Sequence, residues 1–210
     1  MKFSPDCRDC SRLARFLDQV RHDHPDYHAR PVAPFGDDKP RLLIVGLAPG
    51  LHGANRTGRP FTGDYAGVLL YHTLHRFGFA NAATSEHARD GLRLTGCCIT
   101  NAVKCAPPRN KPELREIKLC NRYLQTELES LENGAAVLAL GTIAHHAVLL
   151  ALAIKKIQFP FRHGARYELP SGLTLYDSYH CSRYNTQTRR LTPAMFEAVF
   201  TQIINQLKTY

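Results

Sequence analysis

The sequence has no apolar run long enough to span a bilayer, and its first residues do not resemble a signal peptide. The longest apolar stretch, from Ala147 to Ile154, has the length of a short buried helix. Internal repeats, low-complexity segments and domain linkers are also missing. These absences argue against a membrane, exported or repeat protein. We expect one cytoplasmic domain over residues 1–210, with a full hydrophobic core.

Acidic residues are scarce relative to basic ones. The chain has 18 Asp and Glu against 27 Lys and Arg, which gives a formal net charge of +9. The excess of basic residues is spread along the chain instead of forming a tail. This distribution favours a protein surface that binds a polyanion. Nucleic acid is the polyanion we favour. The alternative is a basic enzyme without a nucleic-acid partner.

Seven cysteines in a chain without export features favour reduced thiols or metal ligands over disulfides. Four are expected to face the interior from separate elements: Cys7, Cys10, Cys105 and Cys120. Four thiolates can hold zinc or a [4Fe–4S] cluster, and the wide spacing of the second pair leans towards the cluster. The alternatives are free buried thiols and a redox Cys-x-x-Cys, although no thioredoxin-like pattern surrounds this one. The remaining three are interpreted as structural: Cys97, Cys98 and Cys181.

Apolar runs alternate with helical patterns along most of the chain. Four runs have the length and composition of buried strands: residues 42–47, 98–103, 135–141 and 173–179. The last run is the second arm of a predicted hairpin that begins at Arg166. The segment 23–40 contains four prolines and is expected to be a linker outside the sheet. The order predicts an α/β fold, namely a three-layer α/β/α sandwich around a mostly parallel four-stranded sheet.

Capping residues predict where several helices begin. Residues 62–64 can cap a helix that ends near Gly78, and Thr192-Pro193 opens a C-terminal helix. The helix that carries Cys120 is expected to begin near Asn110, with a glutamate three positions further on. Its apolar face is predicted to contain Leu114, Ile117, Leu124, Leu128 and Leu131.

The loop after the first predicted strand carries most of the chemistry. It contains four glycines, which let the backbone approach a ligand closely, and the side chains of Phe61 and Asp64. Such loops form the ligand sites of open α/β sheets. Asn101 lies in another predicted strand and His180 follows a third, so we expect Asp64, Asn101 and His180 to share one edge of the sheet. The alternative roles are a helix cap for Asp64 and a structural histidine at position 180.

Three motifs together resemble the family 5 uracil-DNA glycosylases, relatives of the family 4 enzymes, which also carry an iron–sulfur cluster. They are GLAPGLHGANRTGRPFTGD at 46–64, TNAVKC at 100–105 and HCSRYNTQTRRLTP at 180–193. The four cysteines fit the same pattern, so the resemblance covers nearly the whole chain. Two positions depart from it. Gly50 stands where family 5 members usually have alanine, and Cys181 replaces the proline usual after the motif histidine.

The resemblance implies a monofunctional DNA glycosylase that flips a damaged base into a pocket and hydrolyses its N-glycosidic bond. Phe61 is expected to stack on the base, and the Asn101 amide to read its edge. His180, or backbone N–H groups at Gly46, Ala48 and Gly50, would stabilise the charge on the departing base. Asp64 would position the water.

The resemblance also implies partners and a cofactor. The partner is DNA that contains uracil or a deaminated purine such as hypoxanthine, processed in base excision repair by a monomer at the nucleoid. A structural [4Fe–4S] cluster would be held by Cys7, Cys10, Cys105 and Cys120. DNA contacts are expected from Arg56, Ser182, Arg183, Tyr184, Asn185 and Arg189, with Arg183 or Tyr184 filling the gap left by the flipped base. The alternatives are a non-catalytic nucleic-acid-binding protein with a structural metal cluster and a redox protein.

Overall fold

A computed structural model describes residues 3–208 and contains a six-stranded sheet with the order β1-β3-β2-β4-β6-β5. The strands are Phe35–Gly36 (β1), Leu42–Gly46 (β2), Cys97–Asn101 (β3), Ala136–Leu140 (β4), Arg166–Glu168 (β5) and Thr174–Ser178 (β6). The four central strands run parallel and are fully buried, which is why they read as continuous apolar runs. They coincide with the four predicted strands.

The strand count of four was wrong, because a short antiparallel strand is added at each edge. β5 pairs with β6 through the predicted hairpin. β1 pairs with β3, although it lies in the segment expected to be a linker. A strand of two residues has no periodicity to reveal it, and its pairing depends on the exposed edge of β3.

Helices cover both faces of the sheet, which confirms the three-layer sandwich. Alternate strand residues point to opposite faces, so Leu42 and Ile44 pack with α3 and α7, whereas Leu43 and Val45 pack with α4 and α5. A third cluster joins α1 to α4 around Leu13. The helices are Ser11–Asp23 (α1), Ala54–Thr57 (α2), Tyr65–Arg76 (α3), Leu114–Glu129 (α4), Thr142–Ala151 (α5), Arg183–Gln187 (α6) and Pro193–Leu207 (α7).

Side-chain caps set the helix starts that matter for the site. Asp64 caps α3, and Thr192 caps α7 with Pro193 at its first position, both as predicted. The predicted start of α4 near Asn110 was wrong: a 3-10 turn occupies Pro108–Asn110, and α4 begins after Glu113. Glu113 and Glu116 form a capping box there.

The first turn of α4 also corrects one predicted core residue. Leu114 is 66% exposed, because the later start places it at the first position of the helix. Leu124 and Leu128 are buried, while Ile117 and Leu131 pack at the edge of the same cluster. The apolar face therefore begins one turn later than the sequence suggests.

Candidate active site

The carboxyl ends of β2, β3 and β6 surround a cavity of about 380 Å³. Gly46 at the end of β2 is paired in register with Asn101 at the end of β3, so the glycine-rich loop and the Asn101 segment meet at this edge. The loop after β6 closes the third side. Eight of the predicted site residues line the cavity: Ala48, Gly50, Phe61, Asp64, Asn101, His180, Ser182 and Arg183.

Phe61 forms an aromatic wall in an unusual backbone conformation. Its φ is +55°, in the left-handed region that costs a residue with a side chain on the order of 1–2 kcal/mol. The ring is 6% exposed and stacks on His180, with ring centroids 5.8 Å apart and planes inclined by 28°. Gly46 lies behind it, because a Cβ at that position would be 2.7 Å from Phe61 Cζ. Gly46, which was predicted to bind the substrate, is not among the lining residues, and its lack of a side chain leaves room for the ring.

Asn101 presents an amide oxygen without a partner. The side chain is 3% exposed, and Oδ1 accepts no hydrogen bond from any residue that the structure describes. A buried, unpaired carbonyl oxygen costs free energy, which a hydrogen-bond donor on a bound ligand would recover. The geometry makes Asn101 a candidate reader of a polar ligand edge.

Asp64 serves the helix and the cavity at once. One carboxylate oxygen, Oδ1, accepts the backbone N–H of Gly67 at 3.0 Å and caps α3. The other oxygen, Oδ2, lies near Gly50, where a Cβ would be 3.6 Å away. Burial raises the pKa of Asp64, and the N–H groups of Gly67 and Ala66 oppose that rise. The two roles considered for Asp64 are therefore compatible.

His180 contributes an uncharged imidazole. Burial lowers the pKa of His180 to about 4, so the ring is neutral near pH 7. The Asn185 side chain donates through Nδ2 to the His180 carbonyl oxygen at 2.8 Å and fixes the backbone there. A neutral ring that stacks on Phe61 can donate one hydrogen bond into the cavity.

Of the residues predicted to contact DNA, Ser182 and Arg183 line the cavity. The segment after His180 contains α6 where only a loop was expected. Ser182 caps this helix by accepting the N–H of Asn185 at 3.4 Å. The Arg183 guanidinium lies 5.8 Å from the ring centroid of Tyr65, and the Tyr184 side chain is 70% exposed.

Arg56 and Arg189 are exposed outside the cavity lining. Arg56 donates through Nε to the His52 carbonyl oxygen at 2.8 Å. Arg189 has a φ of +57° at the end of α6. Their roles in DNA binding stay predictions.

Three residues that sequence reasoning missed belong to the same region. Tyr65 and Asn110 line the cavity, and Asn55 is fully buried, with no partner for either amide atom among residues 3–208. Tyr65 follows the helix cap directly, which was the available signal. Asn110 has a φ of +56°, a backbone state that its sequence context does not announce.

The two departures from the family 5 pattern are accommodated. At Gly50 an added Cβ would make ordinary van der Waals contact with Asp64, so alanine and glycine both fit. Cys181 is fully buried in the cluster formed with α3 and α7. Burial strongly raises the pKa of its thiol, as expected for an inert packing residue.

The four predicted metal ligands line one further cavity, between α1, the segment after β3, and α4: Cys7, Cys10, Cys105 and Cys120. The Lys104 N–H donates to Cys120 Sγ at 3.3 Å, and Arg122 Nη2 donates to Cys7 Sγ at 3.8 Å. Burial and the nearby Cys120 raise the pKa of Cys10 to about 11. Burial and mutual repulsion disfavour the thiolate form of these cysteines unless a cationic metal centre offsets them. The four thiols therefore fit a metal group that is held by four thiolates.

Within residues 3–208, no group of three or more His, Cys, Asp or Glu side chains is arranged to hold a single metal ion. The assignment of the four cysteines to a cluster rests on the cavity that they share, and it stays a prediction. In the same part of the chain, no helix is long and apolar enough to cross a membrane.

Comparisons with known proteins agree with this geometry. The sequence matches the uracil DNA glycosylase superfamily over residues 33–204. It is 48% identical to the type-5 uracil-DNA glycosylase of Thermus thermophilus, over 90% of this chain and 89% of that protein. Identity to the type-5 uracil-DNA glycosylase of Mycobacterium leprae is 43%, over 92% of this chain and 88% of that protein.

A solved structure supports the fold. The crystal structure of wild-type Pedobacter heparinus SMUG2 aligns with a TM-score of 0.50 and 13% identity, covering 100% of this chain and 94% of that one. The chain belongs to the uracil-DNA glycosylase superfamily. The relatives that match it over most of its length are type-5 uracil-DNA glycosylases, so the chain belongs with the type-5 members, as the three motifs predicted.

Proposed function

We propose that the protein is a monofunctional DNA glycosylase that hydrolyses the N-glycosidic bond of uracil in DNA. The observation that carries the proposal is one cavity in which Phe61, Asp64, Asn101 and His180 meet, in a chain of this superfamily. A non-catalytic DNA-binding protein has no need for a base-sized cavity with an aromatic wall and a buried carboxylate. The enzyme is therefore favoured over the binding protein.

The residues divide the reaction between them. A flipped base stacks on Phe61, and the open Asn101 Oδ1 accepts an N–H from its edge. As the C1′–N bond breaks, its electron pair moves to the base. The neutral His180 ring and backbone N–H groups near Gly46, Ala48 and Gly50 stabilise the resulting anion. Water then bonds to C1′, and Asp64 Oδ2 orients it and receives its proton.

The proposed substrate range extends to deaminated purines such as hypoxanthine. The cavity of about 380 Å³ lies within the range of small-molecule sites and has room for a bicyclic base. Gly50 supports this proposal because it adds no side chain to the floor. Such an enzyme would act in base excision repair, as a monomer at the nucleoid.

DNA would be held by the rim and by the overall charge of the chain. The formal net charge of +9 favours a phosphate backbone, and Arg56, Arg183 and Arg189 are exposed arginines in or next to the pocket loops. Ser182 and Asn185 would contribute hydroxyl and amide contacts. Tyr184, exposed at the start of α6, is the proposed wedge.

The cysteine cavity would hold a [4Fe–4S] cluster through Cys7, Cys10, Cys105 and Cys120. When bound, the cluster would supply a rigid cross-link between α1, the segment after β3, and α4. Catalysis would remain with the residues of the other cavity.

The decisive test is a base-release assay on oligonucleotides that contain a single uracil or a single hypoxanthine. Wild type should release both bases. Asp64→Asn should bind the same DNA but release neither at a comparable rate. A wild-type protein that binds uracil-containing DNA and releases no base would contradict the proposal and support the binding-protein alternative.

A further inference from the structure

Arg59 is a buried cation two residues before the aromatic wall. Its side chain is 5% exposed and makes three hydrogen bonds with the segment 85–90. Nη1 donates to Asp90 Oδ1 at 2.8 Å and to Ser85 Oγ at 3.0 Å, while Nη2 donates to the Ala88 carbonyl oxygen at 2.8 Å. The guanidinium also lies 4.5 Å from the ring centroid of Phe35. Every side of this cation is therefore constrained.

Asp90 is an equally fixed anchor. Its Oδ1 also accepts the N–H of Leu92 at 3.0 Å, and its Oδ2 accepts the N–H groups of Glu86 at 2.9 Å and His87 at 3.3 Å. Burial alone would raise the pKa of Asp90, but the Arg59 side chain and these N–H groups hold it well below its usual range. The carboxylate thus stays charged and organises the turn around it.

The residues on both sides of Phe61 are also held, Thr62 by the same segment and Pro60 by α3. Thr62 Oγ1 and Ser85 Oγ are 2.6 Å apart, and Tyr71 donates through its hydroxyl to the Pro60 carbonyl oxygen at 2.7 Å. A left-handed φ at a residue with a side chain persists only when its surroundings enforce it. Arg59, Pro60 and Thr62 are each tied down, so Phe61 has no freedom to relax.

We propose that Arg59 and Asp90 are positioning residues that hold Phe61 in its left-handed conformation, with the ring placed to stack on the flipped base. The inference rests on the proposed function, and it gives the polar connection between α3 and β3 a role in that site. The proposal predicts that a substitution which weakens the Arg59–Asp90 network displaces the Phe61 ring, and that it does so without a direct change to any contact with a base, a phosphate or Asp64.

The first test observes the ring itself and does not depend on activity. Protein labelled with 4-fluorophenylalanine has a Phe61 signal that can be identified by its loss in Phe61→Leu. Asp90→Asn should shift or broaden that signal. Glu197→Gln is the matched control, because it weakens a different ion pair, the Arg76–Glu197 pair of 2.7 Å that joins α3 to α7. An unchanged Phe61 signal in Asp90→Asn would overturn the proposal.

The second test is a double-mutant cycle on single-turnover base release. Asp90→Asn should slow release at least fivefold in wild type but less than twofold in Phe61→Ala, because its effect passes through Phe61. If Asp90→Asn slowed base release by the same factor in both backgrounds, the result would overturn the proposal and indicate a general structural role. If Asp90→Asn fails to fold, Ser85→Ala takes its place, since Ser85 contacts both Arg59 and Thr62.

The two proposals fail in different ways. Absence of base release by the wild type would contradict the glycosylase assignment, and the fluorine signal would still decide whether the network positions Phe61. An unchanged signal together with active wild type would contradict the positioning role alone.

Discussion

Gly46 and Asn101 are register partners at the ends of β2 and β3, and their closeness leaves no room for a side chain at position 46. A Cβ there would press into Asn101 Oδ1 and lie 2.7 Å from Phe61 Cζ. Both of the groups proposed to hold the base would have to move. The site thus depends on a residue that contributes no side chain of its own.

Gly46→Ala is therefore expected to reduce base release by about 100-fold, a loss equivalent to about 2.7 kcal/mol of transition-state stabilisation. Gly50→Ala is the matched control, because its added Cβ would be 3.6 Å from Asp64 Oδ2, an ordinary contact. Single-turnover assays on uracil-containing DNA should show Gly50→Ala within a few-fold of wild type. Equal losses in both variants would contradict this account.

The two roles of Asp64 can be separated by substitution. Asparagine can still cap α3, so Asp64→Asn should melt near the wild-type temperature, whereas Asp64→Ala should lose about 1 kcal/mol of stability. Both variants should lose base release, because neither has a carboxylate to receive the proton from water. Thermal melts and base-release assays on the same preparations would test this. An active Asp64→Asn would reduce Asp64 to a structural cap.

The pH dependence of base release should have one acidic limb. Burial raises the pKa of Asp64, so the active carboxylate form should be lost as pH falls through that raised value. His180, with its pKa lowered to about 4, should stay neutral from pH 5 to pH 8. Single-turnover rates across this range should therefore show no inflection that depends on His180. An inflection there that disappears in His180→Gln would show that the histidine titrates during catalysis.

Removal of one cysteine from the four-thiol cavity should release the proposed cluster. Cys105→Ser is expected to lose the brown absorbance, most of the bound iron and part of the thermal stability. Cys97→Ala is the control, because Cys97 is buried in a different cluster, with α3 and α7. Iron and sulfide analysis of anaerobically purified protein would decide the point. Equal iron content in the two variants would contradict the ligand assignment.

Tyr184→Ala should distinguish a wedge from a general DNA contact. A wedge fills the space left in a base stack, so its loss should slow release from duplex DNA about tenfold and leave single-stranded substrate nearly unchanged. Arg189→Ala is a suitable comparison, because loss of a phosphate contact should weaken binding to both substrates. An equal effect of Tyr184→Ala on both substrates would remove its assignment as the wedge.

The sequence predicted the parts of the fold that are locally encoded. Four buried parallel strands appear as continuous apolar runs, and the caps Asp64 and Thr192 mark two helix starts. β1 and the late start of α4 were missed, because the first depends on the free edge of β3 and the second follows left-handed residues at Arg109 and Asn110. The first is set by tertiary pairing, whereas the second is set by the local backbone and the Glu113–Glu116 capping box.

The candidate site also contains some residues that could be predicted from the sequence and others that could not. Phe61, Asp64, Asn101 and His180 could be chosen from their residue types and their positions in or after predicted strands, and they do meet in one cavity. The network around Arg59 could not be predicted, since Asp90 lies 31 positions away in a segment without periodicity. Tyr65 could be identified as a lining residue only once the direction of α3 relative to the cavity was known.

The capping role of Asp64 has a genetic consequence. A single nucleotide change converts an aspartate codon to an asparagine codon, and the altered chain would keep its helix cap, its fold and its grip on DNA. Such a chain would occupy damaged positions without clearing them and would shield them from other repair proteins. Cells carrying this allele should accumulate more mutations than cells from which the gene has been deleted.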